Sequence, residues 1–343
     1  MRLAPLPPQP SGTPWPTREW PVGPIPAGVD GGRLDALIDQ AFGAPSDLGE
    51  TWALVIVHAG QLILERDGDG RGPDDTCRSW SMAKSITHAL AGLLVADGRL
   101  DISAPADVPE WRAAGDGRAA ITLDQLLRMS SGLGFVEAYS PDAPSDVIEM
   151  LFGKGAADVA GFAAASPLAH PPGSFFSYSS GTTNIVCRCL ARASGAQGAG
   201  FESFMRERLF APIGMSSALP RFDEAGTFIG SSFCFATARD FARFGLLYLR
   251  DGVWEGRRLL PPGWVDYART PTFQQPDFVD GPYGAHWWLD LAGPGSFSAN
   301  GYEGQYIVIC PDRDLILVRN GVTAEANQPL VKAWLAEVAA AFS

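Results

Sequence analysis

Apolar residues recur along this chain with two different periods, and each change of period marks an element. In 33–42 (RLDALIDQAF), Leu34, Leu37, Ile38 and Phe42 have the spacing of one helix face. TWALVIVHAGQLILERDG follows. Its two β-rich runs flank Ala59-Gly60, which predicts a hairpin. Residues 81–97 (SMAKSITHALAGLLVAD) are apolar on nearly every face, so they predict a helix buried at the centre of the protein and stopped by Gly98. ITLDQLLRM and TTNIVCRCLARASG carry shorter helical patterns separated by Gly and Pro. ARDFARFGLLYLRDG reads as a helix closed by Gly252, and HWWLDL as a strand. QYIVICPDRDLILVRNG is a second hairpin turning at Pro311-Asp312-Arg313-Asp314. The last segment, NQPLVKAWLAEVAAAF, is an amphipathic helix with Asn327 as its expected N-cap.

Hairpins near both ends, each beside a helix, imply an antiparallel sheet flanked by helices, an α+β sandwich. Residues 29–102 and 226–343 are assigned to that sheet domain, 103–225 to an inserted, mostly helical subdomain, and the Pro-rich 1–28 to an extended arm on the surface.

Composition removes several function classes. Of 343 residues, 46% are hydrophobic and 19% charged, which fits a globular enzyme. The net charge is −12 and no Lys/Arg cluster occurs, so nucleic acid is not an expected partner. Pro5, Pro7, Pro8 and Pro10 interrupt the unbroken apolar stretch a secretory signal needs. No run long enough to span a membrane occurs either, so a cytoplasmic location without membrane attachment is expected. Cys77, Cys187, Cys189, Cys234 and Cys310 lack metal-ligand spacing and read as buried free thiols. The loop ERDGDGRGPDD places Arg71 and Arg78 where a calcium site needs oxygen ligands. Neither metal nor cofactor is expected, and the oligomeric state is not legible.

Candidate chemistry sits at the start of the buried helix. Ser81-Met82-Ala83-Lys84 is an S-x-x-K sequence, with serine and lysine on one helical face. Lysine occurs only at 84, 154 and 332, and Lys84 lies in the most apolar helix. Burial disfavours the ammonium ion, and a neutral amine beside a hydroxyl is a general base. In PPGSFFSYSSGTTN, Tyr178 lies in a loop before a helix that Ser179 or Ser180 would cap, positioned to relay a proton. In SANGYEGQYIVIC, Gly301 and Gly304 precede a strong strand, where a backbone N–H could join that of Ser81 as an oxyanion hole. G-x-S-x-G and H-E-x-x-H are absent, and nothing places His58, His88, His170 or His286 beside a serine.

WSMAKS, ITLDQLLRMSSGL, PPGSFFSYSSG, ATARDFARFG and GYEGQYIVICPDRDL occur in an order that resembles the serine β-lactamase and penicillin-binding-protein superfamily. The resemblance is to its class C-like esterases and 6-aminohexanoate-dimer hydrolases, and it implies a β-lactamase/transpeptidase-like fold. It makes Ser81 the acylated nucleophile, Lys84 its base partner, Tyr178 the Y-x-N-type tyrosine and the N–H of Tyr302 the second oxyanion donor. Ser180 stands where β-lactamases have asparagine, and Ala299-Asn300-Gly301 where they have K-T-G. Tyr139 in GLGFVEAYS matches a loop tyrosine that closes over substrate, and Trp288 a tryptophan lining the pocket. Ser180, Asn300 and Gly301 join them as expected substrate contacts. The implied partner is a small-molecule ester or amide. Two other readings stay open: a β-lactamase or D-Ala-D-Ala peptidase, and a non-catalytic binding protein of the same fold.

Overall fold

The computed structural model describes residues 3–43, 46–139, 144–273 and 281–342. α1 (Gly31–Phe42) leads into the first hairpin, β1 (Glu50–His58) and β2 (Gln61–Asp67). Ala59 and Gly60 both take positive φ, 49° and 74°, the turn geometry whose twist suits two antiparallel strands. The buried helix α2 (Met82–Ala96) follows. Next come α3 (Leu123–Leu127), α4 (Asp146–Phe152), α5 (Val159–Ala164), α6 (Ser180–Ser194) and α7 (Ala199–Met205). The chain then runs through α8 (Ala238–Leu249), α9 (Trp264–Ala268) and β3 (Trp288–Leu289). It ends with β4 (Phe297–Gly301), β5 (Gln305–Cys310), β6 (Leu315–Val322) and α10 (Gln328–Ala340).

The strands form one six-stranded sheet in the order β2-β1-β6-β5-β4-β3, antiparallel throughout. Its central strands are buried on both faces because helices cover both. Leu54 and Ile56 point to the side closed by Leu34 and Ile38 of α1 and Trp334 and Leu335 of α10. Val55 and Val57 point the other way, into the core shared with α2 and α8. Covered on both faces, the central strands read as continuous apolar runs rather than a strict alternation. Each such side chain contributes roughly 1.5–3 kcal/mol on burial.

Two local expectations change. HWWLDL contributes only Trp288 and Leu289 to the sheet. Asn327 stands before α10 in a helical conformation, and its side chain caps nothing: it donates to the Asp47 carbonyl at 2.9 Å. The N-terminal segment is held by buried arginines of the body. Arg243 donates to the Pro16 carbonyl at 2.7 Å and Arg250 to the Pro7 carbonyl at 3.2 Å, while Trp15 packs on Trp254 with ring centres 5.0 Å apart.

Candidate active site

α2 carries Ser81 just ahead of its first turn. A serine there usually caps the helix by accepting a backbone N–H. Ser81 instead lies in the helical region (φ −65°, ψ −7°) and makes no cap bond. Its Oγ accepts from Lys84 Nζ at 3.0 Å. The residue before it, Trp80, is held at φ 43°, a left-handed conformation that costs a bulky residue energy and that surrounding contacts must enforce. Those contacts are visible. Trp80 Nε1 donates to Glu303 at 2.8 Å, and its ring packs against Phe233 and edge-on to Tyr302.

Lys84 is 1% exposed. Besides Ser81, its ammonium donates to Ser180 Oγ at 2.9 Å and to the Ser231 carbonyl at 3.0 Å. Burial pulls its pKa down to about 8, and the Glu137 carboxylate opposes that fall. Near pH 7 about one amine in ten is therefore neutral and able to take a proton. The rest of α2 is quiet. Ser85 bonds the His286 carbonyl, Thr87 the Gly230 carbonyl, and His88 the Tyr248 hydroxyl. His286 faces Thr183, and burial, with Lys84 nearby, holds it down at about 3. Its imidazole is neutral and stands apart from Ser81.

Tyr178 precedes α6, and Ser179 caps that helix by accepting the Thr182 N–H at 3.1 Å. Lys84 Nζ lies 4.8 Å from the centre of the Tyr178 ring, which also packs against Tyr283 and Trp288. Ser180 links two groups: it accepts from Lys84 and donates through Oγ to Glu137 at 2.6 Å. Glu137 also accepts the Ser180 N–H at 2.8 Å and the Tyr139 hydroxyl at 2.7 Å. A continuous path of polar atoms thus runs Ser81–Lys84–Ser180–Glu137–Tyr139. Glu137 is absent from the expected site residues, although it is the single acid in the otherwise apolar GLGFVEAY.

The end of β4 runs beside the nucleophile segment. A side chain at Gly301 would come 2.3 Å from the Ser79 carbonyl, so only glycine fits this approach. Tyr302 follows at once and stacks on Tyr139, with ring centres 4.9 Å apart. The turn after it is anchored from below by Arg319, which is fully buried and donates to the Gly304 carbonyl at 2.8 Å. Arg319 too escapes a sequence reading.

Trp80, Ser81, Tyr139, Ser180 and Tyr302 line a cleft of about 90 Å³ closed on one side by α4. Trp288 and Asn300 lie elsewhere, on a neighbouring hollow of about 220 Å³. Of the expected site residues, the structure thus gathers Ser81, Lys84, Tyr178, Tyr139, Ser180, Gly301 and Tyr302. Among the described residues, Trp288 meets them through Tyr178. The five cysteines are free and buried, and burial raises Cys77 to about 11 and the other four to about 12. Among the described residues no group of His, Cys, Asp and Glu could hold a metal ion, and no helix is long and apolar enough to cross a membrane.

Comparison with known proteins agrees with the fold. The family model described as Beta-lactamase matches residues 50–341. A 6-aminohexanoate-dimer hydrolase from Paenarthrobacter ureafaciens is 27% identical over 84% of this chain and 77% of its own length. A Bacillus anthracis structure carrying the provisional name 6-aminohexanoate-dimer hydrolase superposes with a TM-score of 0.75 at 23% identity, covering 94% of this chain and 87% of that one. A family VIII carboxylesterase structure superposes with a TM-score of 0.68 at 14% identity, covering 92% and 99%. At those identities the two structures speak for the fold alone. The chain belongs to the Beta-lactamase family and has the hydrolase fold of that family.

Proposed function

We propose that this protein is a serine hydrolase that cleaves an ester or linear amide bond of a small molecule through an acyl-Ser81 intermediate. The observation that carries the reading is the buried amine of Lys84, depressed to about 8 and 3.0 Å from the Ser81 hydroxyl. Ser81 Oγ attacks the substrate carbonyl carbon while its proton passes to the Lys84–Tyr178 pair. The N–H groups of Ser81 and Tyr302 receive the oxyanion. The carbon–oxygen or carbon–nitrogen bond then breaks, and the same pair returns the proton to the leaving alcohol or amine. Water repeats the sequence on the acyl-serine: its oxygen bonds the carbonyl carbon, its proton passes through the pair, and Ser81 leaves as the hydroxyl. Lys84 and Tyr178 act as one coupled unit.

The name of the sequence relative, a 6-aminohexanoate-dimer hydrolase, supports a linear amide as substrate, and an ester would use the same machinery. The strand position that carries the K-T-G lysine of β-lactamases holds Ala299-Asn300-Gly301 here, which weakens a β-lactam reading. The test is a substrate panel of p-nitrophenyl esters, a 6-aminohexanoate dimer and a cephalosporin, run beside fluorophosphonate labelling. Ester or linear-amide turnover and labelling are expected in the native protein and absent in Ser81→Ala. Full activity in a clean Ser81→Ala preparation, or cephalosporin turnover that rivals simple esters, sinks the reading.

A further inference from the structure

The surroundings of Ser81 have two unlike sides. On one, Tyr178 packs with Tyr283 and Trp288, and Lys84 reaches its ring. On the other, α4 turns Val147, Ile148, Leu151 and Phe152 toward the cleft, facing the stacked rings of Tyr139 and Tyr302. Ile148 is 42% exposed and Phe152 60%, so apolar surface stands open to water beside a reactive hydroxyl. Apolar surface left open in a concave site marks a place where a ligand covers it.

We propose that the α4 side is the acyl subsite and that it accepts a short, uncharged acyl group; the inference rests on Ser81 being the acylated residue. The leaving group must depart toward the groups that protonate it, Tyr178 and Lys84, and the α4 wall contains neither. The acyl chain therefore remains on the α4 side. Size follows from the cleft, which offers only about 90 Å³. Charge follows from the lining, in which no described residue is acidic or basic. Carboxylates stand around it: Glu137, bonded to Ser180 and Tyr139, Glu303, bonded to Trp80 and paired with Arg78, and Asp146 and Glu149 on α4 itself. A carboxylate at the end of an acyl chain would lose its water here and meet negative charge, with no cation in the lining to receive it.

The experiment compares kcat/KM for p-nitrophenyl acetate, butyrate, hexanoate and the half-ester of adipic acid, on the native protein, Ile148→Trp and Phe152→Ala. Both side chains are partly exposed, so neither substitution opens the core. The native protein is expected to prefer hexanoate over its carboxylate-bearing counterpart by about tenfold or more. Ile148→Trp, which fills the subsite, should lower butyrate relative to acetate by about tenfold, and Phe152→Ala should raise hexanoate relative to butyrate. Equal use of hexanoate and the adipate half-ester, or a variant that scales every ester alike, overturns the subsite while Ser81-dependent turnover leaves the hydrolase standing. A panel untouched by the native protein overturns both.

Discussion

Among the described residues, Lys84 and Arg319 are buried cations without a carboxylate bonded to either, and their surroundings set them apart. Lys84 sits among hydroxyls, those of Ser81 and Ser180, with one carbonyl from Ser231. Arg319 sits among carbonyls, donating to Gly304 at 2.8 Å, Leu48 at 3.0 Å and Glu50 at 3.2 Å. Burial lowers both, Lys84 to about 8 and Arg319 to about 10. Only the lysine therefore exchanges its proton near neutrality. Two of the lysine's three partners are hydroxyls that line the cleft, whereas the arginine's are backbone carbonyls and the Thr51 hydroxyl at 3.3 Å, which does not line it. In the proposed mechanism the same desolvation suits one cation to exchange a proton and leaves the other a permanent clamp, which holds the turn that follows Tyr302.

Removing the lysine should have the largest effect. Lys84→Met is expected to lower kcat/KM by about 10³-fold, which is about 4 kcal/mol of transition-state stabilisation. Stability carries a second signature of the same group. Between about pH 8 and 10.5 the unfolded chain holds a proton that folded Lys84 has lost, so the native protein gains stability as pH rises. Below about pH 8 the buried ammonium costs about 3 kcal/mol, and above 10.5 that cost is gone. Denaturant titrations should therefore show the native protein gaining on Lys84→Met across that window. A constant difference would mean the amine is not desolvated.

The arginine breaks the other way. Arg319→Met takes a donor from the Leu48, Glu50 and Gly304 carbonyls; Leu48 keeps the Thr323 hydroxyl at 2.6 Å, so the cost of about 1–3 kcal/mol for each buried group left unpaired falls at most on the other two. A loss of about 3 kcal/mol in chemical denaturation is expected, with no dependence on pH below about 9. Because the clamp holds the turn rather than the proton, the acid limb of the rate profile should stay where it is in any active fraction. A moved limb would make Arg319 part of the proton chemistry and erase the contrast.

How far the sequence discloses this depends on how local each feature is. The hairpins are legible because a turn at Ala59-Gly60 or Pro311–Asp314 lies between runs that pair with each other. Ser81 and Lys84 are legible because one helix carries both. Arg319 is not, since its partners at Leu48 and Glu50 lie far back in the chain and a charged residue in a strand looks the same buried or exposed. Glu137 is hidden for a related reason. Its meaning comes from Ser180, brought to it from α6, and no period in GLGFVEAYS points there. Asn327 misleads because a helical turn over Glu325–Asn327 runs straight into α10, which leaves Asn327 in a helical conformation rather than the extended one a capping side chain needs.

Glu137 gives the smallest of these effects and the finest test of how the lysine is tuned. Its carboxylate is the main charge holding the Lys84 pKa up against burial. Glu137→Gln removes that charge, so the amine should lose its proton more readily and the acid limb of kcat/KM should move to lower pH, by up to about one unit. Geometry sets the rest. The amide oxygen can still accept the Ser180 and Tyr139 hydroxyls that Oε1 accepts now, but the amide nitrogen would meet the Ser180 N–H donor to donor where Oε2 now accepts it. The plateau rate should therefore fall, by less than about tenfold, while the limb shifts downward. A variant that merely loosened the loop would lower the plateau and leave the limb in place. A limb that moved upward would reverse the sign of the interaction and detach Glu137 from the amine altogether.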